Sequence, residues 1–589
     1  VKKRQSSRTS SAAAGRPAFA LVLHTHLPFV LNHGRWPHGS DWLNEATVEC
    51  YLPLLDTARR LVADGISPRW TINISPVLAE QLASPVFQKE IEFFIETRLR
   101  YVEDNRGYFR RTGQDALVAL THYWEEYFQR MWGLLRGFGG DLLGAFAELG
   151  RAGHLEIITC AATHGYLPLL SRDESIHLQL RTAVETHTRH FGRPPRGIWL
   201  PECAYRPRYE WAPPVGAGTA QRGLRPGVEE LLARHGIEFF IVDSHLVRGG
   251  TPLSAYRDFF PALAELAGER PVVRAARPAK AATPYQAYRV ASRGGTGTAV
   301  AFVRDPKTTV QVWSRDQGYP GEPHYLEFHK KHFPGGFRYW RVTGSGVDLG
   351  DKALYEPATA AERVQSHADH FLALIQSTLS DAARETGDAA PVVVSPYDAE
   401  LFGHWWFEGP AWLEAVARRM AANGVRAATL AQVLDRGIPP EVTTLQEGSW
   451  GEGGDHRVWL NRETEWTWDR VYDVEQDLVE HVRRLAERRG SDLYRRVVSQ
   501  ACREALLLQA SDWQFLITTF SARDYAERRF AEHYTEFKRL LEMADKLQQT
   551  GALAPEDEEA LRRLERDDFP FPDLDPTWAL GRQPREGAA

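Results

Sequence analysis

Sulfur is scarce in this sequence: four cysteines (Cys50, Cys160, Cys203, Cys502) and three methionines occur in 589 residues. The cysteines lie far apart and none forms a CxxC pair. That excludes a disulfide framework and cysteine-rich zinc sites, and it fits a reducing compartment. Long runs of Lys or Arg are also missing, and the net charge is −6. Neither nucleic acid nor an anionic membrane is therefore expected as a partner. No stretch reaches the roughly 18 uncharged apolar residues of a membrane span. Residues 1–16 are basic and rich in Ser and Ala with no apolar core, so they are expected to form a disordered tail and not a signal peptide. These absences leave a protein expected in the cytoplasm, acting on a neutral or small substrate.

What is present is an ordinary globular balance, 43% hydrophobic and 25% charged residues. The length exceeds one simple core and points to roughly two or three domains. Aromatic residues are plentiful, with 18 Trp, 20 Tyr and 27 Phe, and many Trp stand in Gly- or Pro-rich segments outside helical patterns. Flat aromatic faces in loops suit sugar rings, whose C–H faces are apolar.

Short apolar runs alternate with amphipathic stretches through the first 435 residues or so. The runs are Phe19–Leu23, Trp70–Ile74, Leu155–Thr159, Gly197–Leu200, Phe239–Val242, Thr298–Phe302, Pro391–Val394 and Ala427–Leu430. Segments such as Pro226–Gly236 and Ala411–Gly424 have helical periodicity and end in glycine. Such alternation implies a parallel sheet with crossovers, and this many repeats suggests a barrel. Residues 80–150 read as an inserted helical subdomain, 249–295 as long Gly/Pro/Ala-rich loops, and 211–223 as a surface loop. Beyond 437 a Trp/Gly-rich loop gives way to helices from about 466 to 569. The expected layout is a catalytic barrel (17–79 and 151–437), the inserted subdomain, a C-terminal helical domain (438–570) and a flexible tail (571–589).

In a parallel barrel the chemistry hangs from the carboxyl ends of the strands. That rule selects His24 to Pro28, Cys160 to His164 with Tyr166, Trp199 to Cys203, and Ser395 to Asp398. An isolated carboxylate is most often a helix cap or an ion pair. Glu202 and Asp398, however, close different strands with histidines and aromatics around them. That is the constellation for breaking a glycosidic bond, one carboxyl protonating the leaving oxygen while the other attacks or activates water. His24 and His26 share a strand face at i and i+2. An HxH on a strand is also zinc-ligand spacing, with His164, His245 or Asp398 available to complete a site.

The segments LHTHLP, TCAATHGYLPLL, GIWLPECAY and SPYDAELFGHWWFEGP resemble the signature regions of glycoside hydrolase family 57, in the pattern of its 1,4-α-glucan branching enzymes. The similarity runs from about residue 17 to 545 and includes GSWGEGGDHRVWLN and SDWQFLI. With it, the expected fold is α/β, a distorted (β/α)7-type barrel with an inserted helical subdomain and a C-terminal all-helical domain. The resemblance implies Glu202 as nucleophile and Asp398 as general acid/base of a retaining mechanism, with the carboxyls roughly 5–5.5 Å apart. Glu202 must then be ionised, while Asp398 holds a proton beside it, walled by Trp405 and Trp406. In a branching enzyme the 6-hydroxyl of a second glucan replaces water. No metal or other cofactor is implied, and the partner is an α-glucan such as amylose or a glycogen-like polymer.

The same resemblance implies sugar contact for His24 and His26, and for His164, whose alternative is a satisfied core histidine. Trp199 joins the substrate set from its strand end. His404 orients sugar or acid unless it is purely structural. Trp313, Trp450 and Trp459 are expected to line a glucan groove. Asp512 and Trp513 stand where the helical region could face the barrel, Trp513 as a sugar contact or as packing. Branching enzymes of the family carry a loop tyrosine that favours transfer over hydrolysis; in residues 246–290 the candidates are Tyr256, Tyr285 and Tyr288. The open alternatives are an α-amylase-type hydrolase, a 4-α-glucanotransferase, a zinc-dependent deacetylase or mannosidase-like hydrolase, and a non-catalytic glucan-binding protein.

Overall fold

The computed structural model describes residues 16–216, 220–249, 252–253, 260–268, 282–314, 318–387, 390–488 and 491–581. It is a mixed α/β structure built on parallel strands. β1 (Ala18–Thr25) and β2 (Trp70–Ile74) are buried along their whole length, as apolar runs must be when both faces of a sheet are covered. β3 is Leu155–Ile158 and β4 is the two-residue Gly197–Ile198. A short antiparallel hairpin follows, β5 (Tyr209–Trp211) with β6 (Gly223–Arg225). The remaining strands are β7 (Phe239–Val242), β8 (Tyr288–Val290), β9 (Ala299–Val303), β10 (Val392–Asp398) and β11 (Glu441–Thr443).

Two sheets carry the architecture. One runs β10-β1-β2-β3, all parallel; the other runs β11-β8-β9-β7-β4. Only β8 against β9 is antiparallel in the second. Single parallel bridges join the two sheets, Thr159 to Ile198 between the edge strands β3 and β4, and Arg304 to Val394 between β9 and β10. β4 is short because Pro201 offers no N–H for a ladder and Glu202 turns into a left-handed conformation. Its Gly197 is required: a Cβ there would lie 2.2 Å from the Phe239 ring.

The run Ala427–Leu430 is not a strand. It makes one bridge, Phe19 to Ala427, and then opens the helix Leu430–Leu434, because Thr429 and Gln432 form a capping box. Residues 80–150 hold the helices Pro85–Arg111, Asp115–Gly137 and Leu142–Arg151. They are tied to the rest of the α/β structure through Trp124, which donates to the Arg338 carbonyl, and Tyr127, which donates to that of Val48.

Among the described residues past β11 there are helices and turns and no strand. The main helices are Glu465–Arg488, Asp492–Leu508, Asp512–Thr519, Arg523–Thr550 and Pro555–Asp567. They are pinned to the loops that follow β1 and β3. Arg529 donates to the Phe29 carbonyl, Asn32 to that of Asp567, and Thr163 to that of Leu506. Residues 571–581 are not a loose tail. Phe571, Leu574 and Ala579 are buried, and the turn Pro576–Leu580 lies against the helix Asp173–Phe191. Their Pro and Asp content hid three apolar anchors. Residues 582–589 lie outside the described residues.

Candidate active site

The register of β1 assembles the first part of the site. His24 stands opposite Asp398 of β10 on one side and Asn73 of β2 on the other. His24 Nδ1 lies 2.5 Å from Asn73 Oδ1, and the Asn73 amide nitrogen donates to the Ile158 carbonyl. Asn73 Oδ1 is therefore the acceptor, so His24 carries its proton on Nδ1 and accepts at Nε2. His164 Nε2 sits 3.1 Å from that nitrogen and must donate to it. Its own Nδ1 then accepts from the Ser511 hydroxyl at 2.8 Å. Burial, followed by neighbouring imidazoles, holds both His24 and His164 well below the ordinary histidine pKa. Neutral rings fit this one-way chain of hydrogen bonds.

His26 points at the helical region. Its Nδ1 meets Ser75 Oγ at 2.8 Å and its Nε2 meets Asp512 Oδ2 at 3.0 Å. Burial alone would raise the Asp512 carboxyl, yet His26 and then His164 hold it below the ordinary range. The His26 main-chain N–H donates to Glu400, which also accepts from Tyr51. Burial pushes Glu400 up to about 8, with Asp398 adding to the rise.

His26, His164 and Asp512 bring potential metal ligands within 4.8 Å of one another. The ring geometry does not suit an ion. The His26 and His164 rings lie face over face, 4.1 Å between centroids and 13° from parallel. A metal bound in the plane of one imidazole would sit far out of the plane of the other, where no lone pair points. A second such group, Glu504, His533 and Asp568, is filled by Arg529, which donates to His533.

Glu202 follows β4 in the left-handed region, with φ +59° and ψ +25°, and Cys203 follows at φ +49°. Two successive non-glycine residues there are strained. The turn is held by Cys203 N–H on the Leu200 carbonyl and by Trp450, whose main-chain N–H donates to the Glu202 carbonyl. The Trp450 indole N–H also donates to Glu202 Oε2 at 2.8 Å. Burial pushes the Glu202 carboxyl up to about 8, and the charges of Asp398 and Asp512 add to that, while the Trp450 bond works in the opposite direction. The environment thus favours a proton on Glu202. That is the reverse of the state expected for a nucleophile, and the Trp450 N–H is what favours the carboxylate.

The other expected residues divide. Trp199 is buried, stacked on His24 (4.6 Å, 6°) and edge-on to Trp450 at 5.0 Å. His404 is held by Glu49 through its Nδ1 at 2.7 Å, and its carbonyl accepts from Arg338. Glu49 lies at about 2 because Arg338 and His404 overcome its burial. Trp405 is half-buried, with the buried Trp313 ring 6.4 Å away. Trp406, expected as a wall beside Asp398, is 1% exposed and sits in a core cluster with Tyr325, Phe402 and Trp412. Trp459 is buried and stacked on Tyr166 at 4.6 Å. Only glycine fits at 451, since a Cβ would meet the Trp459 ring at 2.7 Å. Trp513 is fully buried, donates to the Leu507 carbonyl and lies among Tyr525, Arg529 and His533. Packing within the helical region is what these contacts describe. Tyr285 and Tyr288 are buried, and Tyr256 lies outside the described residues.

Sequence reasoning missed Asn73 and Ser75, although both stand at the end of β2, where the strand-end rule applies. It also missed Glu49, Glu400 and Ser511. It placed Asp512 near the barrel without seeing that it pairs with His26.

Comparison with known proteins adds an independent line. Residues 20–446 match the family model of glycosyl hydrolase family 57, and 470–578 match that of the 1,4-alpha-glucan branching enzyme C-terminal region. A 1,4-alpha-glucan branching enzyme of Thermococcus kodakarensis is 41% identical over 553 residues, spanning 93% of this chain and 76% of that protein. The crystal structure of a GH57-type branching enzyme from Pyrococcus horikoshii superposes with a TM-score of 0.84 at 37% identity, covering 97% of this chain and 98% of that one. The alpha-amylase AmyC from Thermotoga maritima gives 0.76 at 28% identity, covering 96% and 99%.

Proposed function

This chain belongs to glycosyl hydrolase family 57, and from that premise we infer that it is a 1,4-α-glucan branching enzyme. It acts on an α-glucan, cutting an α-1,4 link and rejoining the fragment at a 6-hydroxyl. The observation that carries the reading is the pair of carboxyls at the ends of β4 and β10, close enough for Asp398 to raise Glu202. The matched C-terminal region favours branching over simple hydrolysis.

Glu202 attacks the anomeric carbon while Asp398 gives its proton to the departing 4-oxygen. The C1–O4 bond breaks and a glycosyl ester forms on Glu202. The acceptor 6-hydroxyl then attacks the same carbon, Asp398 takes its proton back, and the Glu202 carboxylate leaves. Two displacements retain the anomeric configuration. His24, His26 and His164 present ring C–H edges to the sugar, their nitrogens being held by Asn73, Ser75, Asp512, Ser511 and one another, with Trp199 behind them; Trp405 extends the glucan contact, and His404 with the buried Trp313, Trp450 and Trp459 shapes that wall from behind. The single bridges between the two sheets support a distorted seven-stranded barrel of β10, β1, β2, β3, β4, β7 and β9. The first family match ends at 446 and the second begins at 470, which supports a division of the chain in that interval, a little beyond the proposed boundary at 437, with a C-terminal helical domain after it. Among the described residues no helix is long and apolar enough to cross a membrane, in keeping with a cytoplasmic enzyme.

Product analysis on amylose tests this. New isoamylase-sensitive α-1,6 links should accumulate with little gain in reducing ends. Reducing ends without branches would give the hydrolase reading, which the likeness to AmyC keeps in play. Glu202→Gln and Asp398→Asn should each lower turnover by about a hundredfold or more. Azide should rescue a small-residue Asp398 variant with retained configuration and a small-residue Glu202 variant with inverted configuration.

A further inference from the structure

Arg304 directly follows β9 and bridges to Val394 of β10, at one of the two seams between the sheets. Its side chain is 1% exposed. Nη1 lies 3.3 Å from Asp243, while Nε and Nη2 make no hydrogen bond among the described residues. The guanidinium carbon sits 5.4 Å from the centre of the Trp450 ring. At its edge, that indole donates its N–H to Glu202 at 2.8 Å. A buried cation with two unmatched donors is costly, and an apolar side chain of similar size would fill the same space more cheaply. Its place over the face of the indole that donates to Glu202 gives that cost a purpose.

We propose that Arg304 is a positioning residue for the glycosyl transfer, seating and polarising the Trp450 indole so that its N–H keeps Glu202 in the attacking, ionised form. A cation over the π face draws electron density from the ring and strengthens the N–H as a donor. The cation itself is secure: Asp243 stays ionised, drawn down to about 2 by Arg304 despite its burial. The charged and titratable groups facing Glu202 and the indole are Asp398 from β10, Asp512 from the helix Asp512–Thr519, and Cys160 and Tyr166 after β3. Cys203 lies beside them, with Asp243 and His245 after β7. The two aspartates oppose ionisation of Glu202; Trp450 favours it. Weakening the Trp450 donor must therefore raise the pH at which activity appears.

This rests on Glu202 as nucleophile, so Glu202→Gln is run alongside on amylose. The test is the pH profile of kcat and KM for Arg304→Met, Arg304→Lys and Trp450→Phe. Arg304→Met should lower kcat about tenfold, as a weakened charge-assisted hydrogen bond does, leave KM nearly unchanged, and move the acidic limb to higher pH. Arg304→Lys, which keeps the cation, should recover most of both. Trp450→Phe should shift the limb the same way, and adding it to Arg304→Met should shift it no further. An acidic limb that stays put in Arg304→Met overturns the proposal, as does an equal loss in the Lys and Met variants. Should Arg304→Met not fold, an unmoved limb in Trp450→Phe overturns it alone. Full turnover by Glu202→Gln would instead sink the functional reading itself.

Discussion

His26 at the end of β1 and Asp512 at the start of a C-terminal helix meet at 3.0 Å, although 486 positions separate them. The contact places a carboxylate from the second matched region inside the cluster built by the first. Asp512 also adds to the charge that raises Glu202. It therefore belongs to the electrostatics of the candidate site and is not only a strut between regions.

Asp512→Asn keeps the volume and removes the charge. Turnover on amylose should fall by about ten- to a hundredfold, the range of roughly 1.5–3 kcal/mol for a hydrogen bond to a charged group. The thermal midpoint should move little. Unchanged turnover would leave Asp512 with a structural role alone.

Stability should depend on pH in a defined way. Glu202 and Glu400 are raised to about 8 and Glu408 to about 7, in each case first by burial. Each binds its proton more tightly in the folded chain than in the unfolded one. Their contribution is complete below the usual value of 4.5 and is lost as pH climbs through 7 and 8. Thermal midpoints should decline from pH 5 to 9. Glu408→Gln should lessen the decline and exceed the parent protein at pH 9. Asp243 and Glu49, held at about 2, lose their contribution only as pH falls through that value.

The described tyrosines of the 246–290 region make a cleaner test of transfer against hydrolysis. Tyr285 and Tyr288 are buried, and the Tyr288 hydroxyl donates to the Thr283 carbonyl. Tyr288→Phe should cost about 1 kcal/mol of stability. The ratio of reducing ends to new branches should not change, nor should it in Tyr285→Phe. A marked rise in hydrolysis would mean that one of these rings reaches the site after all.

Two tryptophans should separate packing from substrate contact. Trp513→Ala should cost about 3–5 kcal/mol of stability and leave glucan affinity alone. Trp405→Ala should do the reverse, with binding weakened up to about tenfold, as for a lost aromatic stacking contact. Affinity gel electrophoresis with amylose, paired with thermal melts, reads both.

Much of the site was legible because parallel strands deliver their side chains to one end. His24, Glu202 and Asp398 follow from that alone. Asn73 obeys the same rule and was overlooked, since an amide carries no chemistry until a histidine needs its tautomer set. Trp405 and Trp406 are neighbours in sequence, one half-buried and one in the core, and no composition argument separates them. Ala427–Leu430 reads as a strand until the capping box of Thr429 with Gln432 takes over. The stacking of His26 on His164, which argues against zinc, lies in ring orientation, and sequence spacing is blind to that.

The two proposed catalytic carboxyls belong to different sheets. Asp398 ends β10 in the four-stranded sheet, and Glu202 follows β4 in the five-stranded one. One hydrogen-bonded bridge joins the sheets at each seam. The gap between the carboxyls thus behaves like the jaws of a caliper with two joints, the one at β10 braced further by Thr308 on Ser395 and by the Tyr397 hydroxyl on the Thr308 carbonyl. A shift of the main chain at either joint, Thr159 on Ile198 or Arg304 on Val394, would reset the width of the jaws.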